Sequence, residues 1–446
     1  MSFDGRKSLR FLEFVGPAFL ISMGALDPGN ISGDVAVGQK AEYRLIWVLI
    51  VAAGLYYWYQ SLCIQLGVYA RKDIATLCKD TYSKKWNGFL WAMCEVALLA
   101  ADTQEVLGSA IALQILFGFP PIVGIIASLI IAFAILHMQN KNQQKFEMFF
   151  GVCILVMAIC FGINFLRTSH PLGEILQGFI PTVRIKDLPY AISLMGSILM
   201  PQNLFLHSAL VLTRDIPQDI ESKKQAVRFF RLETLITVIV SSFINFFIIG
   251  TFDYFSDIED LIQLKDVGNI LAKNFGGIAV VVWGLGLFSS GQSATIAGAL
   301  TGQYIMEGFL SLRINRELRI LLSRAISLVP CIIIFHFADV GIIYILLNVV
   351  QFIQLPFVLI PLFRFVEDKS IVPELNLCPK NLNILKIISA GFVLMNIGQL
   401  ISVVPFEFWS IVFIIVFLIG YVVVLLKLFE AKKNSSEADQ LSVEMV

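Results

Sequence analysis

Long apolar runs alternate with short polar segments along almost the whole chain. Each run reaches about 17–25 residues, the length that an α-helix needs to cross a lipid bilayer. The pattern therefore predicts an all-α integral membrane protein with about twelve transmembrane helices. The predicted spans lie near 11–37, 44–69, 88–117, 121–138, 147–166, 188–213, 226–252, 274–308, 319–337, 341–363, 384–404 and 407–427.

The first and sixth spans are each interrupted by a short polar motif that contains proline. Residues 27–30 read DPGN and residues 200–203 read MPQN. Because proline has no N–H and glycine is conformationally permissive, we expect the first helix to unwind at Pro28–Gly29. Freed backbone groups are tolerated at bilayer depth only where they are buried in protein or line a cavity. Paired broken helices in two halves of a chain are typical of a transporter's binding site.

The positions of the breaks predict how the chain is organised. Breaks in spans one and six fit a five-plus-five inverted repeat with discontinuous helices 1 and 6, followed by two further helices. Lys and Arg cluster before the first span and after the second, fourth, sixth, eighth, tenth and last, which predicts cytoplasmic termini. The predicted parts are a cytoplasmic N-terminal tail (1–10), a transporter core (11–366), two additional transmembrane helices (367–429) and a polar, disordered cytoplasmic tail (430–446).

Composition excludes several classes of protein. The chain is 57% hydrophobic and 15% charged, which is more apolar surface than a soluble domain tolerates. A formal net charge of 0 gives no bulk attraction to nucleic acid. The seven cysteines show no CxxC or CxxH spacing, so we interpret them as buried hydrophobic residues. The apolar run after the basic first ten residues lacks a small-residue cleavage signature and is predicted to be retained.

The two breaks carry side chains that suit a transition metal. Asp27 offers a charged oxygen, Asn30 a neutral oxygen and Met200 a thioether. Oxygen ligands alone suit Mg²⁺ or Ca²⁺, whereas a thioether selects softer ions. This set therefore favours Mn²⁺, Fe²⁺, Co²⁺ or Cd²⁺ over Ca²⁺. The competing interpretations are that Met200 only packs and that Asp27 forms a buried structural pair with a cation.

A second group of residues is predicted to move protons. Glu95, Asp102 and Glu105 are spaced by seven and three residues, along one face of the third span, which suggests a relay. Their alternative role is to fix helix packing. Arg324 is either their counter-charge or a snorkelling anchor. His207 is either a proton-release group or a hydrogen-bonded core histidine.

Polar residues in later spans are further candidates. Asn348, Gln351 and Gln354 form a stripe at helical spacing in the tenth span. Asn348 or Gln351 is a candidate to complete the coordination shell of a metal. Gln292 and Ser293 belong to a face of small residues in the eighth span, which close helix packing explains.

Several long motifs resemble one known family, the Nramp proton-coupled divalent metal transporters. The similarity extends from about Phe11 to Phe365 and is greatest to the eukaryotic divalent metal transporter branch. The motifs are DPGN (27–30), ADTQEVLGSAIAL (101–113), MPQNLFLHSAL (200–210), SSGQSATIAGALTGQYIMEGFLSLR (289–313) and LNVVQFIQLPFVLIPL (347–362).

The resemblance implies a LeuT-like fold of the amino-acid/sodium-symporter type and uptake of Mn²⁺ or Fe²⁺ with protons into the cytoplasm. Carried over by position, the metal ligands are Asp27, Asn30, Met200 and the backbone carbonyl of Ser197. Most members have alanine where Ser197 stands, a mild change for a main-chain ligand. The implied proton pathway comprises Asp27, Asp102, Glu105, His207 and Arg324.

One departure from the family affects the expected coupling. The family usually has histidine where this chain has Gln202, and a carboxamide cannot titrate. Proton coupling through this position is therefore absent or rerouted, which leaves a uniporter with weak or absent coupling as the alternative. The retained Met200 counts against the magnesium-transporting relatives.

The same residues count against two other functional classes. A sodium-coupled amino-acid carrier would need an unwound segment open to a carboxylate, which Asp27 would repel. A metal sensor or receptor would resemble the ethylene-signalling relatives, whose long soluble domain we do not expect here. No nucleophile–base pair or nucleotide loop indicates an enzyme, and no resident cofactor is expected. The expected partners are divalent metal ions and the lipid bilayer of a eukaryotic plasma, endosomal or vacuolar membrane.

Overall fold

The computed structural model describes most of the chain. It covers residues 11–24, 26–139, 143–312, 339–375, 379–403 and 408–430, with only residues 318, 322, 326 and 331 described between 312 and 339. The described residues form helices and no strands. The predicted span 319–337 and Arg324 therefore lie largely or wholly outside the described residues.

The helices follow the predicted spans closely. In chain order they are α1 (Phe11–Phe14), α2 (Pro17–Gly24), α3 (Pro28–Ala41), α4 (Ile46–Ala70), α5 (Ile74–Thr81), α6 (Lys84–Phe117), α7 (Pro121–Gln139), α8 (Gln143–Phe165), α9 (Leu172–Gln177), α10 (Leu188–Ile198), α11 (Pro201–Leu210), α12 (Ile220–Asp253), α13 (Leu264–Phe275), α14 (Gly277–Leu310), α15 (Val340–Glu367), α16 (Pro379–Val403) and α17 (Phe408–Glu430). Short 3₁₀ turns occupy Glu42–Leu45, Ile185–Asp187 and Val211–Thr213.

Many of these helices have the length and composition of membrane spans. Within the described residues, six segments are long and apolar enough to cross a bilayer, and α7 and α8 contain shorter apolar stretches. Large apolar side chains such as Ile126, Ile130, Leu155 and Phe243 are exposed on the outer surface. An apolar outer surface of this kind is stable in contact with lipid chains rather than water.

Both predicted breaks are present, but the first one begins earlier than expected. α2 ends at Gly24 and α3 already begins at Pro28, so Pro28 and Gly29 are helical. The prediction that the helix unwinds at Pro28–Gly29 is therefore wrong by a few residues. Proline fits the first position of a helix, where an N–H would have no partner. Asp27, directly before it, is extended with ψ 167°, as residues before proline prefer.

The second break repeats this local structure. α10 ends at Ile198, and α11 begins at Pro201 after an extended Met200 with ψ 123°. Asp27 and Met200 thus occupy the same position, the residue that precedes the second half-helix. The proline after each of them ensures that the chain cannot continue the preceding helix.

The four half-helices lie at the centre of the helical bundle. α3 packs against α6, α10, α12 and α15, and α2 packs against α11, α12 and α14. The N-terminus of α2 is held by Glu233 of α12, whose carboxylate accepts from Gly16 N at 2.7 Å and Ala18 N at 3.1 Å. A carboxylate at this position satisfies N–H groups that have no partner within the helix. The unwound segments are consequently enclosed by protein.

Candidate metal site between the broken helices

Asp27 is a buried carboxylate, and only one of its two oxygens accepts a hydrogen bond from the residues that the structure describes. Its Oδ1 accepts from Asn30 N at 2.7 Å and caps α3. Its Oδ2 is buried and has no hydrogen-bond partner among the residues that the structure describes, and the residue is only 1% exposed. A buried, unpaired carboxylate costs several kcal/mol. Asp27 therefore needs a proton or a cation at Oδ2.

Asn30 connects the first break to the second. Its Oδ1 accepts from Ser197 Oγ of α10 at 3.0 Å. Its Nδ2 contacts the carboxamide of Asn245, a residue of α12. The side chain of Ser197 thus orients a candidate ligand, a role that an alanine at this position could not have. This contact adds to the main-chain role that the family resemblance implies for Ser197.

The break also leaves main-chain oxygens available. In an α-helix the carbonyl of residue i accepts from the N–H of residue i+4. The residue four positions after Ser197 is Pro201, and the residue four positions after Gly24 is Pro28. Because proline has no N–H, neither carbonyl can be satisfied in this way. The freed oxygens are potential ligands at matching positions of the two breaks.

Met200 supplies the sulfur of the site. The side chain is buried, and Sδ accepts from Asn203 Nδ2 at 3.8 Å. The carboxamide of Asn203 lies against Gly24, where a Cβ would come within 2.6 Å of Asn203 Oδ1. The two breaks therefore meet twice, through Ser197 and Asn30 and through Asn203 and Gly24. The side chains that the two breaks bring near one another include hard oxygens and one thioether, a combination that suits a divalent transition metal.

A chain of carboxamides runs beside the two breaks. Gln202 Nε2 donates to Gln351 Oε1 at 2.8 Å, and Gln351 Nε2 donates to Gln104 Oε1 at 2.8 Å. Gln104 Nε2 donates to Asn348 Oδ1 at 2.7 Å, and Asn348 Nδ2 donates to Gly29 O at 3.2 Å. Asn348 and Gln351 thus lie beside the broken helices, and the oxygen of each already accepts one hydrogen bond.

Gln104 was not predicted from the sequence, although a signal was present. It lies between Asp102 and Glu105 on α6, in a segment that is otherwise apolar enough to cross the membrane. Its carboxamide occupies the place where a side chain on Gly29 would be. A larger residue at position 29 would have to displace this carboxamide and its hydrogen bonds.

Asp34 is a second buried acid that the sequence analysis missed. It lies four residues after Asn30, on the same face of α3, and seven residues after Asp27, which caps this helix. The carboxamide of Asn245 is oriented so that its nitrogen donates to Asp34 Oδ2 at 3.2 Å and its oxygen accepts from Asn30 Nδ2 at 3.2 Å. Asp34 Oδ1 has no hydrogen-bond partner in the described part of the chain. The spacing from Asp27 was the available signal.

Two acids of α6 face α14, on a helix that also contacts Pro28 after the first break. Asp102 and Glu105 are buried, and both carboxylates face Gly298 of α14, at 3.3 Å and 3.1 Å from the position of a Cβ there. Gly108, one turn after Glu105, packs directly against Pro28. Glu95 lies about two turns before Asp102 in α6, is partly exposed and accepts from Trp91 Nε1 at 3.1 Å. The three acids therefore do not share one environment.

His207 is buried in α11. Its Nδ1 lies 2.7 Å from Gln60 Oε1. The carboxamide oxygen can only accept, so Nδ1 carries the proton in this hydrogen bond. Nε2 has no partner among the described residues. The contact is compatible with both a proton-release group and a hydrogen-bonded core histidine.

Comparison with known families decides between the functional classes. The model of the family described as "Natural resistance-associated macrophage protein-like" (Nramp) matches residues 18–402. The chain belongs to the Nramp family. It is 38% identical to "Metal transporter Nramp2" of Oryza sativa over 90% of this chain and 78% of that protein. It is 35% identical to "Divalent metal cation transporter MntH" of Bradyrhizobium diazoefficiens over 88% of this chain and 89% of that protein.

Solved structures support the Nramp fold. A crystal structure of the Eremococcus coleocola manganese transporter superposes with a TM-score of 0.82, at 24% identity, and covers 94% of this chain and 93% of that one. The more distant Mhp1, a nucleobase-cation-symport-1 family transporter, gives a TM-score of 0.57 at 14% identity over 79% of this chain and 78% of that one. The predicted family and the all-α, LeuT-like membrane fold are confirmed. Nramp relatives are metal transporters rather than enzymes.

Gly29→Ala tests whether Gln104 lies as close to α3 as described. The added methyl group would displace a carboxamide that is fixed by hydrogen bonds, so we expect a loss of about 1–3 kcal/mol in stability. Thermal unfolding of the purified protein in detergent measures this. In a Gln104→Ala background the same change should cost less, and Gly54→Ala, which meets nothing within 4 Å, should cost nothing. An equal cost of Gly29→Ala in both backgrounds would contradict the contact.

Proposed function

We propose that this Nramp protein is a secondary active transporter that imports divalent transition-metal ions into the cytoplasm. Mn²⁺ and Fe²⁺ are the proposed main substrates, with Co²⁺ and Cd²⁺ also accepted and protons as the coupled ion. The observation that carries this proposal is the unpartnered oxygen of Asp27, buried next to a second break that supplies a thioether. The names of the relatives, a metal transporter and a divalent metal cation transporter, agree with it.

The proposed ligands are Asp27, Asn30, Met200 and the main-chain carbonyl of Ser197. The metal loses water as it enters the space between the breaks, and these groups replace its hydration shell. Asn348 and Gln351 are proposed to complete the shell after a rearrangement of the carboxamide chain, since their oxygens accept hydrogen bonds in this conformation.

The charge of the metal is proposed to displace a proton from Asp27. A carboxylate that binds a divalent cation no longer needs a proton, so loading the metal releases one. Asp102 and Glu105 are the proposed acceptors, because Gly108 brings their helix directly against Pro28. Glu95, His207 and Arg324 remain proposed members of the pathway toward the cytoplasm.

The alternative within the same family is a uniporter with weak or absent proton coupling. It is motivated by Gln202, which cannot titrate and which donates to Gln351. Mn²⁺ uptake and internal pH measured in the same proteoliposomes separate the two. Coupled uptake acidifies the lumen in proportion to the metal that enters, whereas a uniporter leaves the internal pH unchanged.

The arrangement in the membrane is also a proposal. Residues 11–366 would form the transport core and residues 367–429 two additional helices, with residues 1–10 and 430–446 as cytoplasmic tails. The basic loops support cytoplasmic termini by the positive-inside rule. A plasma, endosomal or vacuolar membrane of a eukaryotic cell is the proposed location. Reaction of single cysteines placed in the tails with an impermeant thiol reagent tests the orientation.

Asp27→Ala should abolish Mn²⁺ uptake. The change removes the only charged group proposed to bind the metal and leaves the second break intact. Uptake by proteoliposomes, normalised to the amount of folded protein, measures the effect. Asp80→Ala is a matched control, because Asp80 is an exposed acid paired with Lys72 on the surface. Uptake that survives Asp27→Ala would refute the proposed site.

Met200→Ala should change which ions are accepted more than it changes the rate for Mn²⁺. Loss of the thioether leaves a site of hard oxygens, which favours Ca²⁺ and Mg²⁺ relative to Cd²⁺. Competition of each ion with Mn²⁺ uptake measures the ranking. Met195→Ala, a change to a buried methionine of the preceding half-helix, serves as the control. An unchanged ranking in Met200→Ala would show that the sulfur does not select.

A further inference from the structure

The hydrogen bonds of the carboxamide chain, which consists of Asn348, Gln104, Gln351 and Gln202, all run in one direction, and main-chain carbonyls at one end fix that direction. Asn348 Nδ2 donates to the main-chain carbonyl of Gly29, and Gln104 Nε2 also donates to the main-chain carbonyl of Tyr344 at 3.2 Å. A main-chain carbonyl can only accept hydrogen bonds. Asn348 and Gln104 must therefore present their nitrogens to these two carbonyls and their oxygens to the next residue along the chain.

The same orientation passes along every member of the chain. Gln104 Oε1 can only accept, so Gln351 turns its nitrogen toward it; Gln351 Oε1 then accepts from Gln202 Nε2. At the far end Gln202 Oε1 is left over. It is buried in a residue that is 5% exposed, and it has no donor among the residues that the structure describes. The hydrogen-bond direction that is fixed at the Gly29 carbonyl therefore ends at Gln202 of α11, whose oxygen has no donor among the described residues.

The position of this oxygen indicates what it binds. Gln202 is the second residue of α11 and lies two positions after Met200, directly after the second break. On this half-helix Met200 offers a soft sulfur, whereas a carboxamide oxygen is a hard ligand. A buried oxygen that lacks a protein donor is satisfied by an ordered water molecule or by an ion, and Gln202, unlike Gln354, lies two residues from the candidate sulfur ligand Met200.

We infer that Gln202 Oε1 is a further oxygen ligand for the transported metal, directly or through a bound water, and that the carboxamide chain orients it for this role. The inference rests on the proposed function, because it assumes that the metal is bound between the breaks. It assigns to Gln202 a role that does not depend on titration. The residue then tunes the site toward harder ions.

Gln202→Leu tests the inference through ion selectivity. Loss of a hard ligand should raise the KM for Mn²⁺ about tenfold, in the range known for residues that support metal sites. The KM for Cd²⁺ should rise less, because Cd²⁺ depends more on the thioether. Gln202→Met, which is similar to glutamine in length but offers a thioether in place of the carboxamide, should shift the Mn²⁺/Cd²⁺ preference further toward Cd²⁺. Thermal unfolding of both variants establishes that they are folded.

Gln354→Leu is the matched control. Gln354 is also buried with an unpartnered Oε1, but it lies outside the carboxamide chain and away from the breaks in sequence, so the Mn²⁺/Cd²⁺ preference should not change. If Gln202→Leu and Gln202→Met both keep the preference and the Mn²⁺ KM of the unmodified protein, the inference is wrong. Asp27→Ala in the same assay distinguishes a failure of the proposed function from a failure of the ligand role of Gln202. Uptake that persists there overturns the proposed function, whereas its loss beside unaffected Gln202 variants overturns only the ligand role of Gln202.

Discussion

The missing N–H of two prolines is the constraint on which the rest of the structure depends. Pro28 and Pro201 each deprive a carbonyl four residues earlier of its helical donor, and lipid offers no substitute. Broken backbone can persist at this depth only if protein surrounds it. α6, α12, α14 and α15 supply that enclosure. α6 approaches α3 closely at Gly108, which packs against Pro28, and α12 approaches α3 closely at Gly38 of α3, which packs against the main chain of Ile249. The polar space between the breaks is thus a consequence of how the chain satisfies its own backbone.

The electrostatics of this space follow from the same geometry. Each break presents the N-terminus of a half-helix, which carries partial positive charge and by itself would disfavour a cation. Asp27 caps one of these termini and contributes a full negative charge. One oxygen of its carboxylate has no hydrogen-bond partner among the described residues. The thioether of Met200 stands at the corresponding position of the other half-helix. The first break therefore supplies a charged, hard oxygen ligand and the second supplies a soft sulfur ligand. Divalent transition-metal ions are the class of ion that binds ligands of both kinds.

Much of this could be predicted from the sequence, because the relevant signals are local. Hydrophobic runs of bilayer length gave the spans, and an X-Pro step inside a run located each break. The predicted position of the first break was wrong, because proline at the first position of a helix begins that helix, so the break lies before Pro28 rather than at Pro28–Gly29. The carboxamide chain could not be predicted, since Gln104, Gln202, Gln351 and Asn348 come from three different helices and their order depends on packing. Asp34 was within reach, because it continues the spacing of Asp27 and Asn30 along α3.

The central claim is that a metal ion is held between the two breaks by both Asp27 and Met200. Crystals of the purified protein soaked in Mn²⁺, with diffraction collected at the manganese absorption edge, test this most directly. The account predicts one dominant anomalous peak within bonding distance of a carboxylate oxygen of Asp27 and of the sulfur of Met200. A peak bound elsewhere, with this space filled only by water at saturating Mn²⁺, would contradict it.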